Sequence, residues 1–490
     1  MRPLLNPSRG SKAGVRPSPH PAQKNAPQGD YAPAMAHPQA GRKAGRSSVN
    51  AQPNAPQVLN RAVFVTSREL EYFTEKELTL QTGHEPELWP EVVLKELVDN
   101  GLDACESAGL PPEINVSLAA DAITVTDNGP GLPSAVVESV LDYSVRASSK
   151  DAYISPTRGA QGNALKTILA IPYVLSEDRS GRVEVESHGE RHVIKIGVDR
   201  IAQKPEIVRH TEAGVVKKGT RVKVVFTLTD ETKASFLQLL TGYSLFNPHA
   251  TLVFEADGEA TRFDRTDAAW HKWPASEPTS PHWYTSDQLR SLIAAYISSE
   301  RRGATPRTVR EFVSEFRGLS ATAKQKAILS RLNLGGVHLH DLVNGGDIDG
   351  AMVAALLDAM RTESKPVKPQ ALGVIGKDRF RTWFEAREIE LQTFFYRRTA
   401  GIADKTGLPF VVETASAFRK GGGQRQLITG INWSPTLVDP FRSLSEYGIG
   451  LDGLLNSQYL YKTDPVTFVL HLACPHLNYT DRGKASLEVL

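Results

Sequence analysis

Residues 95–104 read KELVDNGLDA. The flanking sequence places apolar side chains at helical spacing around this stretch, and Pro90 suits the first turn of a helix. The pattern predicts an amphipathic helix that ends near the glycine and prolines of residues 109–112. Glu96 and Asn100 lie four residues apart, so both side chains project from the same helix face. A carboxylate there can orient a water molecule, and an amide can ligate a magnesium ion held between phosphates.

This pair alone does not define a site, because a solvated helix face presents the same residue types. Asp99 and Asp103 are also nearby. Their angular offset from Glu96 makes them second choices for the same chemistry. The interpretation therefore depends on motifs that follow in the chain.

The second motif is VTDNGPGL, residues 125–132. Alternating apolar residues from Ile114 to Val125 predict two strands, and Asp127 follows the second of them. Gly129 and Gly131 allow a tight turn. An aspartate in this position can accept a hydrogen bond from an adenine amino group, with Gly131 leaving room for the base. The alternative is an ordinary Asp-Asn-Gly turn.

Two further motifs lie downstream. In TRGAQGNALKTIL, residues 157–169, Gly159 and Gly162 precede an apolar helix, and backbone N–H groups of such a loop can hold phosphate oxygens while Lys166 adds charge. In KKGTRVKVVF, residues 217–226, Thr220 heads a strand, and its hydroxyl could bond to the aspartate of the second motif or to a bound water. Each motif is weak by itself, but the four occur in the order that one nucleotide pocket requires.

Together the four stretches resemble the nucleotide-binding boxes of the GHKL superfamily, which includes gyrase B, histidine kinases and MutL. The resemblance implies an α+β fold, an α/β sandwich of Bergerat type, that binds ATP and Mg²⁺. It implies Glu96 as general base, Asn100 as magnesium ligand and Asp127 as adenine anchor. The candidate nucleotide-binding residues are Asn100, Asp127, Gly129, Gly131, Ser149, Lys150, Arg158, Gly159, Ala160, Gln161, Gly162, Asn163, Lys166 and Thr220.

The hydrolytic branch of the superfamily is favoured. Histidine kinases need a phosphoacceptor histidine on a helical hairpin, and they generally lack a water-activating glutamate in the first box. Here Glu96 is present, and His84 lies in a Thr-Gly-His-Glu-Pro stretch that is not typical of a hairpin.

Residues 58–490 resemble the B subunit of topoisomerase VI. Residues 310–334 are similar to that family's helix-two-turns-helix insert, and residues 370–380, 407–418, 430–437 and 471–490 are similar to its transducer domain. In the last stretch the family has a lysine that reaches the terminal phosphate, and Lys484 occupies the matching position. The resemblance implies an ATP-dependent homodimer that acts as a clamp on DNA and controls a separate DNA-cleaving, A-like subunit.

Two alternatives stay open. The sequence ends at Leu490, six residues after Lys484, whereas in the family a long helix continues toward the DNA-cleaving partner. A second hypothesis is therefore an ATPase switch that regulates a partner nuclease or other effector, in a mobile-element or defence setting. A third is a nucleotide-binding interaction module without hydrolysis, which the presence of Glu96 disfavours.

Composition sets the remaining expectations. Residues 1–57 contain eight Lys or Arg and one acid among Pro, Ala, Gly and Ser, which predicts a disordered basic tail, and the rest of the chain is net negative. Two distant cysteines favour neither disulfides nor a zinc site and fit a reducing cytoplasm. No apolar run approaches the roughly 20 residues of a membrane span, and no signal-peptide pattern occurs, so no membrane partner is expected.

The sequence predicts three further domains after the tail: an ATP-binding domain over 58–270, a helical domain over 271–365 and a transducer-like domain over 366–490. Within the first, a helix should begin near Asn163. Strand-like runs follow at 172–176, 182–187, 191–198 and 221–228, which suggests a mixed sheet covered by helices on one face.

Overall fold

The computed structural model describes residues 68–141, 143, 152–158, 164–199, 201, 204–442, 449–479 and 486–487. The chain divides into two compact units, Met1–Phe64 and Val65–Leu490. The predicted tail lies outside the described residues, and the description below concerns the second unit.

The described helices are α1 Glu75–Thr82, α2 Trp89–Ser107, α3 Ser134–Val140, α4 Ala164–Leu175, α5 Asp230–Phe246, α6 Ser286–Arg301, α7 Val309–Ser314, α8 Thr322–Leu332, α9 Gly350–Thr362, α10 Lys377–Glu385 and α11 Leu451–Ser457. The described strands are β1 Glu113–Ala119, β2 Ala122–Asp127, β3 Gly181–Ser187, β4 Glu190–Asp199, β5 Lys204–Ala213, β6 Thr220–Val225, β7 Thr251–Ala256, β8 Glu259–Phe263, β9 Val343–Asn344, β10 Asp347–Ile348, β11 Phe395–Ile402, β12 Pro409–Phe418, β13 Gln426–Ile431, β14 Ser434–Pro435 and β15 Val466–Ala473.

The N-terminal part is built on an eight-stranded mixed sheet in the order β5-β4-β3-β6-β2-β1-β7-β8. Strands β1 and β7 run parallel, and the other neighbours are antiparallel. Helices α2, α4 and α5 pack on this sheet, and their buried apolar side chains share one core with it. A face of β3 and β6 carries charged residues that pair across the strands, including Glu184 opposite Lys223 and Glu186 opposite Arg221. The architecture is α+β, as the sequence predicts.

The predicted strand at 172–176 is wrong. These residues belong mostly to α4, which begins at Ala164 and contains Pro172. Ile168 to Ile171 and Tyr173 are buried against the sheet. A short apolar run that is buried all round has no period that separates a strand from a core helix, and this explains the error. The runs predicted at 182–187, 191–198 and 221–228 correspond to β3, β4 and β6.

The C-terminal part is a five-stranded sheet in the order β11-β12-β15-β13-β14. The helical segment α6 to α9 precedes it, and its apolar side chains share one core with β12 and β15. Buried and partly exposed residues alternate along β12, whereas β15 is buried along most of its length. The predicted domain boundary at 365/366 stays a prediction.

None of the described helices is long and apolar enough to cross a bilayer.

A buried ion network joins α2 to the chain that follows the first sheet. The Arg158 guanidinium donates to Glu106 through Nη1 at 2.9 Å and Nη2 at 2.7 Å. The ammonium of Lys272 lies 2.7 Å from the same carboxylate, and His249 Nε2 lies 2.9 Å from it. Burial alone would raise the pKa of Glu106, but the charges of Arg158 and Lys272 outweigh it and hold that pKa well below the ordinary glutamate range.

We predict that Glu106→Gln lowers the free energy of unfolding at pH 7 by about 3 kcal/mol, because it leaves two buried cations without their main counter-charge. The lowered pKa means that the unfolded chain protonates first, so this contribution is present above the ordinary glutamate pKa and is lost as pH falls through the lowered value. Denaturant unfolding across acid to neutral pH measures the effect. Glu177→Gln, at an exposed position, is the matched control. A variant as stable as the control at pH 7 would contradict the assignment.

Candidate nucleotide site

The aspartate and threonine of two separate motifs meet at one edge of the eight-stranded sheet. Strand β2 ends at Asp127, and its antiparallel neighbour β6 begins at Thr220. The Asp127 Oδ1 accepts hydrogen bonds from the backbone N–H of Gly129 at 2.8 Å and of Thr220 at 3.3 Å. Thr220, 93 positions after Asp127 in the sequence, therefore helps to fix the Asp127 carboxylate.

The loop before β6 lies directly against the Asp127 turn. Gly219 has a φ of 78°, and a Cβ at this position would overlap the Asp127 carbonyl oxygen. Gly131 has a φ of 92°, and a Cβ there would lie 2.6 Å from Ser187 Oγ and 2.8 Å from His188 Nε2. The sequence interpretation gives Gly131 the role of leaving room for a base. The structure shows that the glycine is required by protein packing.

Two side chains that sequence reasoning missed fix this turn. Ser187 Oγ accepts from Leu132 N–H at 2.9 Å and donates to the Gly219 carbonyl at 2.9 Å, so it ties the turn to the loop. Asn128 Oδ1 accepts from Glu113 N–H at 2.9 Å, and its amide donates to the Pro111 carbonyl at 3.0 Å. The DNG motif signals Asn128 as a turn residue. Nothing in the sequence around Ser187 distinguishes it from any serine at a strand end.

Helix α2 brings the first motif to the same place. A Cβ at Gly101 would lie 3.1 Å from Asp127 Cβ and 3.0 Å from Ile114 Cδ1, so a side chain here would force these neighbours apart by a few tenths of an ångström. Asn100, which immediately precedes Gly101, is exposed, and Glu96, one turn before Asn100, is half-buried. The helix segment that bears the predicted general base and the predicted magnesium ligand is thus the segment adjoining Asp127.

The environment of Asp127 favours a neutral carboxyl more than water does. Burial raises the pKa of Asp127, and the N–H groups of Gly129 and Thr220 partly offset this because they stabilise the charged form. Cys105, on α2, donates from Sγ to Asn128 Oδ1 at 3.1 Å. Burial raises the pKa of this thiol to about 12, which keeps it protonated and unreactive at neutral pH.

Asp99 and Asp103, the second-choice carboxylates of α2, form hydrogen bonds and ion pairs within the protein. Asp99 is buried and accepts from Lys95 at 2.8 Å, from the Tyr243 hydroxyl at 2.7 Å and from Ser434 Oγ at 2.8 Å. Asp103 pairs with Arg158 at 2.6 Å. Both carboxylates are therefore engaged in internal networks.

The structure changes the interpretation of Arg158. Its side chain is fully buried and donates to Asp103, Glu106 and Asn247. Since these acceptors use the guanidinium inside the protein, we do not retain Arg158 as a nucleotide contact. Lys166 is also buried, and its Nζ lies 5.8 Å from the centre of the Tyr143 ring.

The rest of the predicted site lies outside the described residues and stays a prediction. These positions are Ser149, Lys150, Gly159, Ala160, Gln161, Gly162, Asn163 and Lys484.

Solved structures with similar folds are distant. The Aquifex aeolicus MutL ATPase domain complexed with ADP matches 78% of this chain and 89% of that chain, with 13% identity and a TM-score of 0.31. The gyrase B protein of Myxococcus xanthus matches 84% and 88%, with 12% identity and a TM-score of 0.35. No protein-family model matches the chain.

Curated relatives match the sequence at higher identity. The B subunit of type 2 DNA topoisomerase 6 from Archaeoglobus fulgidus is 25% identical over 421 residues, which span 81% of this chain and 66% of the relative. The corresponding protein of Thermococcus kodakarensis is 24% identical over 457 residues, which span 81% and 77%. The resemblance predicted from the motifs is thus confirmed at the level of the sequence: over about four fifths of its length, this chain is similar to the B subunits of type 2 DNA topoisomerase 6.

Proposed function

We propose that this chain binds ATP at the Asp127 edge of its first sheet and hydrolyses it. The observation that carries the proposal is the meeting of Asp127, Thr220 and the Gly101 segment of α2, which unites three separate sequence motifs around one partly buried carboxylate. A solvated helix face or an ordinary Asp-Asn-Gly turn would not require this convergence.

Asp127 is the adenine anchor in this proposal. Its Oδ1 is directed to two backbone N–H groups, so Oδ2 is the oxygen that we assign to the exocyclic amino group of adenine. A carboxylate acceptor makes a stronger hydrogen bond to an amino group than a neutral acceptor does. Thr220 supports the pocket by holding the carboxylate in place.

The phosphate end of the nucleotide lies toward Glu96 and Asn100. An amide oxygen is an ordinary magnesium ligand, and the exposure of Asn100 leaves it accessible, so the residue fits the ion. Bound Mg²⁺ would neutralise charge on the phosphate oxygens. Glu96 accepts a proton from the water that attacks the terminal phosphorus, and the bond to the bridging oxygen breaks to release ADP and phosphate. N–H groups of the Gly159 to Gly162 loop would hold the terminal phosphates.

A mechanical link supports transmission of the nucleotide state to the second sheet. Asp99 lies between Glu96 and Asn100 on α2, and its carboxylate is bonded to Ser434 at the start of β14. Helix α5 supports the same joint, since the Tyr243 hydroxyl donates to Asp99. In the proposal, Lys484 contacts the terminal phosphate, and its engagement or release changes the position of this sheet relative to α2.

For the assembled protein we propose an ATP-gated homodimeric clamp that controls DNA passage by a separate cleaving subunit. Sequence similarity to the topoisomerase 6 B subunits supports this assignment. A supercoil-relaxation assay with a co-encoded A-like subunit tests it. ATP-dependent relaxation is expected. ATP hydrolysis without relaxation, together with ATP-dependent activation of a nuclease partner, would favour the regulatory switch instead.

Replacing the proposed base separates binding from turnover. We expect Glu96→Ala to reduce kcat for ATP hydrolysis by about 10²–10⁴-fold, with ATP affinity within about threefold of the parent, because the water loses its proton acceptor. Steady-state phosphate release and nucleotide titration measure the two quantities. Glu87→Ala, at an exposed glutamate before α2, is the control. Unchanged kcat in Glu96→Ala would remove Glu96 from this role.

Replacing the adenine anchor acts on binding. We expect Asp127→Asn to weaken ATP affinity by about 10–100-fold, since an amide cannot offer a charged acceptor to the adenine amino group. Asp121→Asn is matched chemically, and it lies in the exposed turn at the opposite end of β2. Titration with a fluorescent ATP analogue compares them. Equal affinities in a folded Asp127→Asn protein would contradict the anchor.

A further inference from the structure

A short turn in the helical segment brings together side chains that the nucleotide chemistry does not use. Residues 336–343 read GVHLHDLV and follow α8. His338, His340 and Asp341 each offer one ligand atom, and these three atoms all lie within 4.8 Å of one another. Leu339 and Leu342 of the same turn are buried in the core, so the turn is anchored while the polar side chains face outward.

The two imidazoles flank one carboxylate. His340 Nε2 lies 3.6 Å from Asp341 Oδ1, and His338 Nδ1 lies 3.8 Å from Asp341 Oδ2. The imidazole rings are stacked, with centroids 5.3 Å apart. These separations are close to those between ligands of one tetrahedral ion. Small side-chain rotations therefore suffice to bring the three ligand atoms around a single ion.

A carboxylate behind the cluster orients one imidazole. Glu300, at the end of α6, places Oε2 3.2 Å from His340 Nδ1. The Glu300 side chain is only 8% exposed, and its Oε1 accepts from Arg307 N–H at 2.8 Å. A proton on His340 Nδ1 shared with Glu300 leaves Nε2 as the lone-pair nitrogen facing Asp341. Carboxylates behind metal-binding histidines act in this way.

Turn capping alone does not account for the arrangement. Asp341 Oδ2 accepts from His338 N–H at 2.9 Å, which explains the aspartate as a cap. The His338 side chain completes the capping box by facing the backbone N–H of Asp341. The cap does not require the His340 imidazole, and it does not explain the Glu300 carboxylate directed at that imidazole. Partial exposure of the cluster leaves room for water as a further ligand.

We propose that His338, His340 and Asp341 bind a zinc ion, with Glu300 as the residue that positions His340. Two imidazole nitrogens and one carboxylate oxygen are ligands that Zn²⁺ accepts, with water in the fourth position. Mg²⁺ prefers oxygen ligands, so this site is chemically distinct from the nucleotide-bound magnesium. A bound ion would tie the turn after α8 to the end of α6. The proposal does not depend on ATP binding.

The test is a titration of the chelator-treated, nucleotide-free full chain with ZnCl₂ by isothermal calorimetry, repeated with MgCl₂. We expect saturable zinc binding that His338→Ala and His340→Ala each weaken at least about tenfold, and that Glu300→Gln weakens by about 10–100-fold. His271→Ala, at an exposed histidine elsewhere in the chain, should bind like the parent. Absence of zinc binding, or affinity unchanged in His340→Ala, would overturn the site.

A second measurement keeps the test decisive if a variant folds poorly. Co²⁺ in place of zinc absorbs visible light, and the absorption is far more intense in a four-coordinate tetrahedral site than in the six-coordinate hydrated ion. The parent protein should show intense bands that ZnCl₂ abolishes by displacement. Weak bands typical of the hydrated ion would contradict the proposal without any variant.

Discussion

The partly buried carboxylate of Asp127 is the constraint on which the arrangement of the first sheet depends. Removing a carboxylate from water is costly unless hydrogen bonds replace the lost solvent. The N–H groups of Gly129 and Thr220 supply them, so the end of β2, the turn after it and the start of β6 must stay together. Helix α2 can then approach because Gly101 has no side chain. One charged group thus fixes three chain segments at the point where a nucleotide is proposed to bind.

Different faces of helix α2 contact the proposed nucleotide site and the protein interior. Glu96 and Asn100 belong to the proposed site, whereas Asp99 and Glu106 point into the protein and meet Ser434 and Lys272. Buried, charge-assisted contacts of this kind permit few alternative geometries. A shift of α2 therefore displaces the second sheet as well, and the helix is suited to carry information between the proposed nucleotide pocket and the C-terminal part.

The sequence predicted the elements whose patterns are local. Alternation of apolar residues predicts β2, the strand-like runs at 182–187 and 408–418 predict β3 and β12, and Pro90 predicts the first turn of α2. No local pattern reports a contact across 93 positions, so the meeting of Asp127 with Thr220 can be predicted only from the order of the motifs. Arg158 was misread because a cation beside a glycine loop looks the same in sequence whether it faces phosphate or a buried glutamate. Ser187 was missed because its role comes from two partners that only the folded sheet brings near.

The environment of the two cysteines has a practical meaning for studying motion. Cys105 and Cys474 are the sole thiols in these 490 residues, and both are buried. Burial raises the pKa of Cys474 to about 11, as it raises that of Cys105, so neither forms much thiolate at neutral pH. A cysteine introduced on the surface would therefore react first with a maleimide spin label or fluorophore. The natural sequence is in this sense already a low-background scaffold for following domain movement by spectroscopy.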